Sequence, residues 1–234
     1  MTKIEWTEKT WNPCTGCTKI SPGCKNCYAE KMANRLFNMK KQKYANKFAI
    51  TTHHDTLELP KKWRKPSMIF VNSMSDLFHN NVPESFIREV FTVMNTEKRH
   101  TFQILTKRAE RILELNDSVS WSNNIWMGVS VENSNYVHRI ELLKQSNAHV
   151  KFISFEPLLG PINDVDLEGI DWVIVGGESG PNARKVEVDW VRGIRDKCLE
   201  RNIPLFFKQW GGVHKKKNGK ELDGKTYMEF PRQE

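Results

Sequence analysis

Six short stretches of the chain are almost continuously apolar and rich in β-branched or aromatic residues: 67–73 (SMIFVNS), 101–107 (TFQILTK), 124–131 (NIWMGVSV), 150–156 (VKFISFE), 171–177 (DWVIVGG) and 203–209 (IPLFFKQ). A strand with one wet face alternates polar and apolar side chains. These stretches do not alternate, so they predict strands covered on both faces. Between them lie amphipathic stretches at 83–95, 108–116, 133–145 and 188–202. In the first, Phe86, Ile87, Val90, Phe91 and Met94 recur every three or four residues, which is one face of a helix. Residues 29–37 read the same way. Repeated strand–helix alternation predicts an α/β fold of parallel strands joined by right-handed crossovers. A doubly wound sheet and a barrel both satisfy that pattern.

The polar positions favour the barrel. Every predicted strand ends in polar or charged residues: Asn72, Ser73 and Asp76; Thr106, Lys107 and Arg108; Ser130, Glu132 and Asn133; Glu156; Gly176, Gly177 and Glu178; Lys208 and Gln209. In a parallel barrel all these ends converge on one rim, where such folds place their sites. Trp210, ahead of Gly211 and Gly212, is expected either to cover the barrel mouth or to plug its base. The layout is a single domain over 1–234. A cysteine-bearing loop and first helix (1–37) precede an irregular basic insertion (38–66). The β/α repeats (67–212) and a C-terminal tail (213–234) follow.

At 234 residues the chain is long enough to bury a sizeable core. It has no apolar run of membrane-spanning length and no signal-peptide pattern behind MTKIEWTEKTW, so a cytoplasmic protein with no membrane partner is expected. The net charge of +8 points to a polyanionic partner, nucleic acid among them. Lys61, Lys62, Trp63, Arg64 and Lys65 interleave an aromatic with cations, as a nucleic-acid surface does, while Lys215–Lys217 reads as an exposed loop. His53 and His54 read as surface residues. No histidine pair has metal-binding spacing, and there is no P-loop and no G-x-S-x-G.

Four of the five cysteines fall in WNPCTGCTKISPGCKNCYAE: Cys14, Cys17, Cys24 and Cys27. Cys198 lies apart in a helical pattern and reads as a buried apolar residue. Reduced cytoplasmic thiols argue against disulfides. A closed four-cysteine zinc knuckle is one reading, although its usual pair separation is longer than the six residues here. A 4Fe–4S cluster is the other, wrapped closely by thiolates, with Gly16 and Gly23 allowing the backbone a tight approach. Binding by three thiolates leaves one iron open to substrate.

These residues, with ILTKR, SVEN, ISFEPLLGPI, VGGESGPNAR and FFKQWG in the same order further on, resemble a phage-associated family of unknown function that is generally treated as radical S-adenosylmethionine-like. The resemblance covers nearly the whole chain. It implies a partial (β/α)6 TIM-like barrel with a 4Fe–4S cluster on Cys17, Cys24 and Cys27. Cys14 is then a spare thiol or a fourth ligand that closes the site. The usual radical motif is C-x3-C-x2-C with an aromatic before the last cysteine. Here the first gap is six, Asn26 takes the aromatic's place, and Tyr28 follows the cysteine instead.

The implied activity is reductive cleavage of S-adenosylmethionine, with an electron donor such as flavodoxin or ferredoxin and a substrate the residues do not name. By position, Ser73 and Asp76 would hold the cofactor's amino group, Lys107 or Arg108 its carboxylate and Glu132 its ribose, with Ser130 at the same rim. Glu178 would be a ribose or substrate contact, and Glu156 and Lys208 would act on substrate. Two other readings stay open: a nucleic-acid-binding barrel with a structural metal, and an enzyme of another class using the carboxylate-rich rim.

Overall fold

The computed structural model describes residues 4–232, without the side chains of Lys215 and Lys216. Seven parallel strands form one curled, half-barrel sheet. The first is β1 (Lys9–Trp11), followed by a two-residue strand β2 (Cys14–Thr15), the helix α1 (Tyr28–Asn38) and β3 (Thr51–Thr52), which pairs with β2. Then come β4 (Met68–Val71), α2 (Glu84–Thr96), β5 (Thr101–Thr106), α3 (Ala109–Leu115), β6 (Ile125–Ser130) and α4 (His138–Lys144). The series ends with β7 (Val150–Phe155), β8 (Trp172–Gly176), α5 (Val188–Glu200) and β9 (Leu205–Gln209).

The order in the large sheet is β1-β4-β5-β6-β7-β8-β9, sequential from edge to edge. A doubly wound sheet reverses its order at a switch point; this sheet does not. All six expected strands form. The expected six-stranded count is corrected to seven by β1, which pairs in parallel with β4 from Lys9↔Ile69 to Trp11↔Val71.

Alternation along the strands separates two cores. Ile69, Val71, Phe102, Ile104, Met127, Val129, Ile153 and Val173 pack against the helices. The opposite faces of the same strands present Phe70, Trp126, Phe152, Trp172 and Phe206, which close the base of the half-barrel together with Trp6. Trp172 is fully buried and meets Trp6, Trp126, Phe152 and Phe206 at ring separations of 5.6–6.2 Å. Above this aromatic floor, towards the strand ends, the same face carries smaller or polar residues: Ser130, Ser154, Gly176 and Lys208. The hollow therefore opens at the C-terminal ends of the strands.

The C-terminal segment contributes the short helix α6 (Lys215–Asn218), where a loop was expected, and a hairpin of β10 (Glu221–Leu222) and β11 (Lys225–Thr226). Residues 227–229 then run antiparallel to β9, with Phe207 N–H donating to Tyr227 O and Glu229 N–H to Leu205 O. That covers an otherwise open sheet edge. Trp210 neither covers the mouth nor plugs the base. It packs on Phe207 at 4.7 Å, on the helix side of the sheet, and donates to Glu221 O. No helix among the described residues is long and apolar enough to cross a membrane.

Candidate functional site

The thiol loop lies between β2 and α1, across the strand ends. Its entry is fixed by Gly16, at φ 88°, where a Cβ would stand 2.1 Å from Ala49 O. Gly16 N–H donates to Met74 O and Cys17 N–H to Phe48 O, tying the loop to the end of β4 and to the returning insertion. A 3-10 turn at Pro22–Cys24 follows, and Cys27 caps α1. Cys17, Cys24 and Cys27 are half-buried and unbridged. Cys14 is different: it is fully buried, and its Sγ accepts from Asn72 Nδ2 at 2.9 Å and contacts Ser75 Oγ at 3.3 Å. Burial pushes its thiol up to about 12. Cys198, also buried, is pushed up to about 12 for the same reason.

Three acids from three strand ends hold this loop down. After β4, Asp76 accepts from Thr106 Oγ1, from the backbone of Phe78 and Lys107, and from Arg108 Nη1 at 3.1 Å. Arg108 in turn donates to Thr18 O at 3.1 Å and Thr18 Oγ1 at 3.0 Å, and its Nη1 stands 3.8 Å from Cys17 Sγ. After β6, Glu132 is fully buried between Arg139, at 3.0 Å, and Ser21, whose hydroxyl donates to it at 2.5 Å. After β8, Glu178 accepts from Asn26 Nδ2 at 3.1 Å and is clamped by Arg184, which also reaches Pro22 O. Burial works against the Glu178 carboxylate, yet the Arg184 and Asn26 hydrogen bonds hold its pKa down at about 2.

The oxygens of Asp76, Glu132 and Glu178 are thus engaged internally. They stand where the sequence expects cofactor contacts, but in this arrangement they anchor the loop. Ser73 is engaged too: its Oγ donates to Asn12 Oδ1, and its carbonyl accepts from the Tyr28 hydroxyl. The Ser130 carbonyl accepts from Arg139, and its side chain faces the hollow. The remaining pair on the inner face is Glu156 and Lys208, with Nζ 2.7 and 3.0 Å from the two carboxylate oxygens. Glu156 lies over Gly176, where a Cβ would approach its Cδ to 3.2 Å. Tyr28 reaches the mouth from the opposite side: its ring is largely exposed, but its hydroxyl is tucked against Ser73, and burial raises its pKa. Lys107 Nζ sits 3.7 Å from Glu132.

Residues 1–231 match a family described as a protein of unknown function (DUF5131). The chain belongs to this family. No curated protein and no solved structure matches it.

Within this DUF5131 chain the loop thiols differ in their electrostatic surroundings. Burial and the Asp76 charge raise Cys17 to about 11, against the opposing pull of Arg108. Burial also works against the Cys24 thiolate, but a backbone hydrogen bond at Ile20, the charge of Lys107 and the Ser21 hydroxyl leave its pKa below the ordinary value. Arg108 and Lys107 are cations placed to balance thiolate charge. Among the described residues no three His, Cys, Asp or Glu side chains converge as a ready-made metal site. The three thiols share one anchored loop without meeting at a common point.

Trp63 is half-buried against the core, with Lys9 Nζ 4.9 Å from its ring, and Arg99 donates to Trp63 O and Lys61 O. It is a packing residue at the base, not an exposed stacking platform. His53 is not a free surface residue: half-buried, it meets Thr15 Oγ1 at 2.8 Å and carries the β2–β3 junction. The partners Thr18, Ser21, Asn26, Arg139 and Arg184 carry no motif of their own. Only the rim residues they meet, Arg108, Glu132 and Glu178, gave a signal in the sequence.

Proposed function

We propose that the protein is a radical S-adenosylmethionine enzyme, with a partial TIM-like barrel and a 4Fe–4S cluster held by Cys17, Cys24 and Cys27. One observation carries this reading. The half-buried thiols sit over the strand ends on a loop anchored at three points, while Cys14 is buried and hydrogen-bonded to Asn72. This difference supports a donor set of three thiols with one coordination position left over, in preference to a closed four-cysteine site. When bound on Cys17, Cys24 and Cys27, such a cluster would supply the one-electron reduction that cleaves S-adenosylmethionine and so enables hydrogen abstraction from a substrate.

The protein's own residues have separable tasks in this reading. Arg108, held by Asp76, faces Cys17 and offsets thiolate charge. Lys107 is the cation available for a cofactor carboxylate, and Tyr28 and Ser73 border the place for its amino group. Lys208 Nζ and the Glu156 carboxylate share a proton-bearing contact on the inner wall, where a substrate group can exchange a proton with either. The aromatic floor closes the hollow from below and excludes water on that side. A small reduced carrier of the flavodoxin or ferredoxin type would supply the electron.

Anaerobic reconstitution with iron and sulfide tests the reading. The expected product is a brown protein whose broad visible absorption bleaches with dithionite and which survives Cys14→Ser but not Cys17→Ser. A colourless protein that binds zinc and loses it on Cys14→Ser contradicts it.

A further inference from the structure

The net charge of this chain is confined to one pole. Residues 19–47 contain seven lysines and one arginine against a single acid, Glu30, which accounts for seven of the eight net positive charges; the remaining residues are close to neutral. Lys19 is paired with Glu30 at 2.8 Å, and Lys43 donates to Asn12 O. Lys25, Lys31, Arg35, Lys40 and Lys41 are exposed, and the one acid of this segment, Glu30, is already engaged by Lys19. The pole abuts the thiol loop directly: Lys25 is on that loop, α1 follows Cys27, and Phe48 at the far end accepts from Cys17 N–H.

The same surface is unusually apolar for so charged a region. Of the eleven residues of α1 only Ala29 and Ala33 are buried, and they pack on Met74, Tyr44 and Phe48. Tyr28, Met32, Phe37 and Met39 are exposed along or just beyond the helix. Lys47 Nζ lies 5.0 Å from the Phe37 ring. Phe37, Asn38, Lys40, Lys41, Gln42 and Ala45 line a concavity of about 420 Å3.

We infer that this pole is a binding surface for single-stranded nucleic acid, which it leads to the mouth of the half-barrel. A cluster of exposed cations whose one neighbouring acid is already paired matches a phosphodiester backbone, and exposed aromatic and thioether side chains beside them offer faces for unstacked bases. A docking site for an acidic protein fits less well, because protein interfaces are depleted in lysine and enriched in arginine, and here lysine outnumbers arginine by seven to one. The inference names a substrate class for the enzyme proposed above. Binding itself needs no cluster, so its test stands or falls separately from the radical reading.

The test is fluorescence anisotropy of a labelled single-stranded oligonucleotide of about 15 nucleotides with the full-length protein. With about five phosphates neutralised, the slope of log K against log salt should be roughly −3.5. Combining Lys31→Glu, Arg35→Glu, Lys40→Glu and Lys41→Glu should weaken binding about a hundredfold or more. Phe37→Ala, which leaves the charge intact, should weaken it by about five- to tenfold. Lys62→Glu with Arg64→Glu, at the opposite end of the strands, should leave it unchanged. Absence of binding at low salt overturns the inference. So does full binding by the four-site variant, or equal competition by polyglutamate or anionic vesicles, which would assign the pole to acidic proteins or membranes.

Discussion

Glu132 lies directly beneath Gly23: a methyl group on that glycine would stand 2.4 Å from Glu132 Oε1. The carboxylate cannot retreat, because it is fully buried and held by Arg139 and Ser21. The contact forces the thiol loop to cross the strand ends at its closest possible approach. Gly23→Ala should therefore lift the loop and cost about 1–3 kcal/mol by overpacking. Urea unfolding measures the cost, and unchanged stability would show that the loop is not pressed onto Glu132.

Asp76 and Arg108 form a nearly dry pair at 3.1 Å, with side chains 9% and 10% exposed. Removing one partner strands the other. Arg108→Met should destabilise by about 3–5 kcal/mol, whereas Arg108→Met combined with Asp76→Asn should recover part of that loss. A double-mutant cycle of unfolding free energies reads the coupling. Additive losses would mean that the two residues act independently and that Asp76 does not position Arg108.

Glu178 gives the anchoring a pH dependence. Its folded pKa is depressed from 4.5 to about 2, first by the hydrogen bonds from Arg184 and Asn26 that overcome its burial. A depressed carboxylate stabilises the fold above its unfolded pKa and loses that contribution as pH falls through the folded value. The wild-type protein should therefore lose stability between about pH 4.5 and pH 2, and Glu178→Gln should lose less across that window. Urea midpoints at a series of pH values compare the two. Parallel curves would show that Glu178 is not charged and clamped in the folded state.

The floor of the half-barrel makes a stability prediction of its own. Trp172 touches four aromatic rings of the floor and also Phe230, 5.2 Å away, and its Nε1–H donates to Glu229 O. Trp172→Ala should cost about 3–5 kcal/mol. It should also loosen residues 227–230 from the edge of β9, which hydrogen exchange at the Phe207 and Glu229 amides would report. Intact protection there would separate the floor from the C-terminal cover.

Much of this fold was legible in the sequence because the sheet is covered on both faces. Strands β4 to β9 are mostly apolar, with their polar residues gathered largely towards the C-terminal ends. β1 was not legible: it is three residues long, KTW, and only Trp11 is buried, so no pattern marks it. Cys14 was legible as a possible spare, but only Asn72, 58 residues away, reveals where it goes. The rim acids were legible as a set at the strand ends. Their partners were not, since Glu132 meets Ser21 across 111 residues and Glu178 meets Asn26 across 152. Periodicity records which face a side chain occupies and carries no information on which distant group it meets there. Trp210 misled for a related reason: it follows a strand end, but its partners are Phe207 on the helix side and Glu221 O of the C-terminal hairpin.

The most direct measurement is 5′-deoxyadenosine formed per chain when S-adenosylmethionine is added to the reduced, reconstituted protein. Wild type and Cys14→Ser should both produce it, and Cys17→Ser, Cys24→Ser and Cys27→Ser should not. A wild-type protein that binds iron and sulfide yet releases none, or a Cys14→Ser variant that fails along with the other three, would contradict a three-thiol site with an open position.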